Sequence, residues 1–264
     1  KAHSSRFDLV GAHRLLSQMV ALEPDYPLGH LAYADVLLGL GYEEQAREEA
    51  RKAFALSNQL PAVERSLIEA RYRESMGEWQ RAFGLYKALR TTLSDSEDYG
   101  LSLANAQLRA GLSSDALQTI SELRHSPTRV SNDPRIDLAE AKVQMELSDF
   151  SAALTILGRV IQRAESVSAS LLLADALLLD SFARTNLNDH AGSLKSAYRA
   201  RDLFASAGNL YGKAESLSAA STAASALGDY EQATQLNELA LVLLLELGNN
   251  SLIAVHLGNM AALF

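Results

Sequence analysis

The residues in this chain that could do acid–base, nucleophilic or metal chemistry are not spaced to do it. Its six histidines, His3, His13, His30, His125, His190 and His256, are scattered. A helical metal site needs ligands one turn apart, and no His-x-x-x-His or His-Glu-x-x-His spacing occurs, so each reads as an ordinary surface or core histidine. The paired carboxylates Glu43/Glu44 and Glu48/Glu49 fall on helical patterns as solvated surface charge. With no Cys, thiol nucleophiles, thiolate-held metals and disulfides are excluded. No Gly-x-x-x-x-Gly-Lys-Ser/Thr phosphate loop, Gly-x-Gly-x-x-Gly turn or Gly-x-Ser-x-Gly elbow is present. The sequence therefore implies a non-enzyme, with no cofactor and no metal.

The composition narrows the partners. A balance of 24 Lys+Arg against 32 Asp+Glu gives a net charge of −8, unsuited to binding phosphates by this segment. Hydrophobic residues make up 48% of the 264, which excludes wholesale disorder, while aromatics are only 6%. The apolar run Leu239–Leu245 is too short to span a bilayer, and Leu171–Leu179 is broken by Asp175. No charged-then-apolar leader stands at the start. The chain begins at Lys1 without an initiator Met and stops at Phe264 within a helical pattern, which reads as a piece of a longer protein.

One phrase recurs and sets the elements. It runs Gly41-Tyr-Glu-Glu-Gln-Ala46, Gly77-Glu-Trp-Gln-Arg-Ala82, Gly111-Leu-Ser-Ser-Asp-Ala116, Ser148-Asp-Phe-Ser-Ala-Ala153, Asn188-Asp-His-Ala-Gly-Ser193 and Gly228-Asp-Tyr-Glu-Gln-Ala233. Its last residues lie 36, 34, 37, 40 and 40 positions apart, and Ala12 stands a further 34 before Ala46. Seven residues before each turn residue is a small one: Ala34, Ala70, Ala104, Ala141, Ser181 and Ser221. After the turn a second helix carries small or apolar residues, as in Ala46, Ala50 and Ala53, or Ala82, Tyr86 and Leu89. Facing small residues let two antiparallel helices approach closely, and the turn residue suits a left-handed helix stop. An aromatic two positions on (Trp79, Phe150, Tyr230) is expected to plug the space between paired helices. A single pair cannot bury both its faces, so the units must stack, each touching only its neighbours. Six full pairs fit between Pro27 and Gly248, and the punctuated stretch from Leu123 to Pro134 is expected to be a joint.

This spacing, with the junction Ala21-Leu-Glu-Pro-Asp-Tyr-Pro27, resembles the tetratricopeptide repeat over nearly the whole chain. The resemblance implies an all-α, right-handed superhelical solenoid with units of about 1–26 (partial), 27–62, 63–96, 97–133, 134–173, 174–213, 214–250 and 251–264 (partial). The longer units, with Gly208-Asn209 and Gly248-Asn249, are similar to those of bacterial signalling ATPase regulators, including proteins like the maltose-regulon activator. The run Leu60–Tyr72, with Gly77-Glu-Trp79 and Asp98-Tyr-Gly-Leu101, resembles arrays attached to bacterial winged-helix regulators and to receptor-type Ser/Thr kinases. What these imply is the sensor or partner-binding part of a regulator. A membrane-anchored winged-helix parent would place it in the periplasm, a signalling ATPase parent in the cytoplasm.

In that family the first helix of each pair lines a concave groove. Carried onto this sequence, the groove residues are Asp35, Arg71, Asn105, Arg109, Arg135, Lys142, Phe182 and Asn186. They suit a protein or peptide partner, through guanidinium forks and amides. The competing reading pairs Arg71 and Arg135 with Glu64, Glu74 or Asp137 as mere surface charge. The chaperone-type carboxylate clamp is not matched, because Leu31 and Asp35 stand where that clamp has Lys and Asn. At the other end, Leu252, Val255, Leu263 and Phe264 form an expected apolar contact surface. Self-association through it, and binding of a small molecule, are the alternative readings.

Overall fold

The computed structural model describes residues 9–93, 96–125, 133–248, 253–254 and 256–258. Among them the order is α1 (Leu9–Leu22), α2 (Pro27–Leu40), α3 (Glu43–Leu56), a 3-10 turn Ser57–Gln59, α4 (Ala62–Ser75), α5 (Trp79–Thr92), α6 (Glu97–Arg109), α7 (Ser113–Arg124), α8 (Pro134–Glu146), α9 (Phe150–Ser166), α10 (Ser170–Asn186), α11 (His190–Ser206), α12 (Leu210–Ala226) and α13 (Tyr230–Leu247). The fold is all-α. The helix before each recurrent turn is called an A helix and the one after it a B helix; α4–α5, α6–α7, α10–α11 and α12–α13 pack as antiparallel hairpins. No helix among the described residues is long and apolar enough to cross a membrane. The expected joint at Leu123–Pro134 falls mainly on residues outside those described, as do Leu252, Val255, Leu263 and Phe264.

Every recurrent turn residue has a left-handed backbone: φ is 95° at Gly41, 71° at Gly77, 79° at Gly111, 60° at Ser148, 60° at Asn188 and 85° at Gly228. That conformation stops the A helix by letting the next amide reach back five residues. Glu78 N–H donates to the Arg73 carbonyl at 2.9 Å, and Asp189 N–H to Arg184 at 2.9 Å. The residue after the stop then starts the B helix. Asp149, Asp189 and Asp229 each accept a hydrogen bond at 3.0 Å from the backbone N–H three residues on. Two adjacent residues thus end one helix and cap the next.

The small residues are buried, and within α4–α5, α6–α7, α10–α11 and α12–α13 they meet across the hairpin. Ala34, Ala70, Ala104, Ala141, Ser181 and Ser221 are buried, and so are their counterparts Ala46, Ala82, Ala116, Ala153, Ser193 and Ala233. Where serine replaces alanine, its hydroxyl is satisfied. Ser181 and Ser193 share a hydrogen bond of 2.9 Å, and Ser221 donates to the Ala233 carbonyl at 2.8 Å. The aromatic plug is not general: Trp79 and Phe150 are half-buried, whereas Tyr230 is 61% exposed.

The chain divides into two compact units. One comprises 12–38 and 45–147; the other comprises 1–11, 39–44 and 148–264. In the first, helices of 12–14 residues pack through clusters such as Ala70, Ala82, Tyr86, Leu89, Leu103 and Ala106. In the second, helices of 17–18 residues account for the 40-residue period, with about one extra turn per helix. The second unit also departs from neighbour-only packing. The α2–α3 turn sits on α12 and α13: Tyr42 packs against the buried cluster of Ala214, Leu244 and Leu247. A Cβ on Gly41 would come within 2.4 Å of the Tyr211 Cβ. An apolar Tyr42 in the turn provides the surface for this, which the repeat pattern alone does not specify.

Candidate functional site

In the first unit, Asp35 on α2, Arg71 on α4, Asn105 on α6 and Lys142 on α8 recur at one register of successive A helices, each following the buried small residue. Asp35, Asn105 and Lys142 are exposed, whereas Arg71 is half-buried.

Asp35 and Arg71 are brought together electrostatically. Protein surrounding the Asp35 carboxyl raises its pKa, and the Arg71 charge only partly counters that. Asp35 is thus exposed as a residue while the protein around its carboxyl partly desolvates it. Arg71 donates to Glu74 at 3.1 Å, and the buried Tyr86 on α5 donates its hydroxyl to the same carboxylate oxygen at 2.7 Å. Burial works against the Arg71 charge, but Tyr86, Asp35 and Glu74 more than offset it and raise the guanidinium pKa. Burial, chiefly, raises the Tyr86 phenol in turn. Arg71 is therefore a neutralised, positioned group rather than an open anion receptor.

Arg135 is likewise engaged. It holds Asp133 at 2.7 Å and reaches Asp98 on α6 at 2.8 Å. Arg71 thus takes Glu74, one of the partners expected for it, and Arg135 takes Asp98 and Asp133. Arg109 is exposed and lies over the Trp79 ring, 5.1 Å from its centroid. Asn105 and Lys142 make no hydrogen bond or ion pair among the described residues.

In the second unit, Phe182 is half-buried and packs on the cluster of Ala197, Leu217, Ala220 and Leu236. Asn186 is exposed, and its amide donates to the Phe182 carbonyl at 2.8 Å within α10. Glu74, on α4 with Arg71, is one of the partners the sequence offers for it, whereas the contacts of Tyr86 with Glu74 and of Trp79 with Arg109 escape sequence reasoning, because both aromatics lie on α5 and read there as packing residues. A twelve-residue separation links Glu74 to Tyr86, the same as between the paired small residues. That constant offset was the available signal. No group of three or more His, Asp or Glu capable of holding a metal occurs among the described residues.

No family model and no curated protein matches the sequence. Solved structures do. The Cut9–Hcn1 hetero-tetramer of the APC/C superimposes with a TM-score of 0.65 at 14% identity, over 96% of this chain and 46% of that one. A Rap protein complexed with competence and sporulation factor gives 0.62 at 11% identity, over 90% and 70%. The signal transduction ATPase of the STAND class from Pyrococcus horikoshii, described with a tetratricopeptide repeat sensor, gives 0.56 at 13% identity, over 95% and 43%. The fold is a tetratricopeptide-repeat array. The chain spans just under half the length of the first and last of these neighbours. In the first unit, Asp35, Asn105 and Lys142 share one exposed register of the A helices.

Proposed function

We propose that this tetratricopeptide array is a non-catalytic binding module whose A-helix register receives a protein or peptide partner. We further propose that it forms the sensor region of a bacterial transcriptional regulator or signalling protein. One observation carries the first part. On α2, α6 and α8 the small residue is buried while the next residue, Asp35, Asn105 or Lys142, stays polar and exposed. A row of hydrogen-bonding groups one helix apart suits an extended peptide backbone. The row is graded: its open charge is negative at Asp35 and positive at Arg109 and Lys142, with Arg71 neutralised between them. Two neighbours support the sensor part, one holding a factor and one described as containing a repeat sensor.

Peptides selected by display on the chain should lose binding about tenfold, or about 1.4 kcal/mol, on Asn105→Trp or Lys142→Glu. They should be indifferent to Gln118→Trp, on an exposed position of the B helix α7. Selected peptides that ignore both groove variants would sink the site. A parent gene lacking any DNA-binding, kinase or nucleotide-switch domain would remove the regulator part.

A further inference from the structure

The second unit contains three B helices in identical register, α9, α11 and α13, beginning at Phe150, His190 and Tyr230. They provide an internal comparison of one surface. On the outward side, α9 exposes Arg159, Gln162 and Glu165, and α11 exposes Arg199, Asp202 and Ala205. Glu165 and Arg199 join across these two helices at 2.6 Å. At the corresponding positions α13 exposes Leu239, Val242 and Leu245, at 57%, 62% and 58%. Three apolar residues at spacing i, i+3, i+6 form a continuous stripe along the helix. Exposed Glu238 and Glu246 flank it.

Further repeats would not cover this stripe. The same positions on α9 and α11 remain exposed although each of those helices is followed by another hairpin. A second copy is disfavoured by charge. Antiparallel two-fold pairing centred on Val242 sets Leu239 against Leu245 and also Glu238 against Glu246. Parallel pairing sets each glutamate against itself. Both arrangements oppose like charges at the edge of an apolar contact, which works against closure. An apolar stripe between acidic flanks is complementary to an amphipathic segment with basic flanks.

We infer that the outer face of α13 is a docking site for an amphipathic helix of a partner protein that carries an apolar stripe bordered by Lys or Arg. This surface is distinct from the A-helix register, so the module can hold two partners at once.

The probe is a fluorescein-labelled helix of ~18 residues, long enough to be partly helical alone, with a Leu stripe and Lys flanks. A matched peptide carries Glu flanks. Fluorescence anisotropy with the whole chain should show saturable binding of the Lys-flanked peptide and at least about tenfold weaker binding of the Glu-flanked one. The triple variant Leu239→Gln/Val242→Thr/Leu245→Gln should lose about tenfold or more for the Lys-flanked peptide with unchanged circular dichroism. Glu238→Lys/Glu246→Lys keeps the stripe and should reverse the preference between the two peptides. Equal binding of both peptides, or binding that survives the triple variant, overturns the inference. So does sedimentation showing self-association that the triple variant abolishes, or binding to phosphatidylcholine vesicles that depends on the same stripe.

Discussion

Ser181 and Ser193 occupy the positions that alanine fills around the first four recurrent turns, and they are fully buried. Ser193 also shares a 2.8 Å contact with Thr185. A buried hydroxyl costs most when its partner is removed and little when both are removed together. Ser193→Ala alone should therefore lower stability by about 1 kcal/mol, and Ser181→Ala/Ser193→Ala by less than the two single effects combined. Urea unfolding of the four proteins measures the coupling; strict additivity would contradict the shared hydrogen bond. The positions of these serines were legible from the repeat, whereas their mutual bonding was not, since sequence spacing does not fix hydroxyl direction. Arg135 shows the same boundary. Its place on the A helix follows from the register, but the choice of Asp98 over Asp137 depends on how consecutive helices are offset.

Helix contacts decide which glycines matter. Gly100 on α6 faces α7, and a Cβ there would lie 2.4 Å from a Leu123 methyl. Gly158 on α9 has open space around the same point. Gly100→Ala should destabilise by about 1–3 kcal/mol through overpacking. Gly158→Ala should stabilise by up to about 1 kcal/mol through helix propensity. Thermal unfolding monitored at 222 nm distinguishes them, and a shift of the same sign in both would be inconsistent with the α6–α7 packing. At this scale the sequence was most informative. Six turns, their helix-stopping residues and twelve buried small residues all follow from one phrase, because a left-handed stop and a close helix approach each restrict residue type strongly. Ser168, with φ of 54° between α9 and α10, carried no such signal, as serine is uncommon there. The exposed Tyr230 shows the converse: an aromatic is permitted at its position without being required.

For the molecule as a whole, the seat of Tyr42 on α12 is the departure from nearest-neighbour stacking, and it is testable through Gly41. Both Gly41 and Gly111 have positive φ, so alanine at either incurs about 1–2 kcal/mol of backbone cost. Only at Gly41 would the new Cβ also strike Tyr211, whereas Gly111 has open space. Gly41→Ala should thus cost about 1–3 kcal/mol more than Gly111→Ala in denaturant unfolding; equal costs would argue against the contact. Glu215 lies on α12 in the same unit, and burial, then the charge of Glu43, raises its carboxyl pKa. A folded pKa above the unfolded one means the native state binds that proton more tightly. The resulting cost is present in full above the folded pKa and fades as pH falls. Glu215→Gln should accordingly raise the melting temperature at neutral pH and give no gain once the pH is below the unfolded carboxylate range. Nothing in the repeat period foretold this tie, since a one-dimensional pattern encodes adjacent units only. Its consequence is kinetic. A ladder of independent rungs frays from its ends, with amide protons exchanging progressively inward. Here residues 41–44 and α12 are separated by more than 160 positions yet share one apolar seat, so their amides should exchange as a single cooperative group.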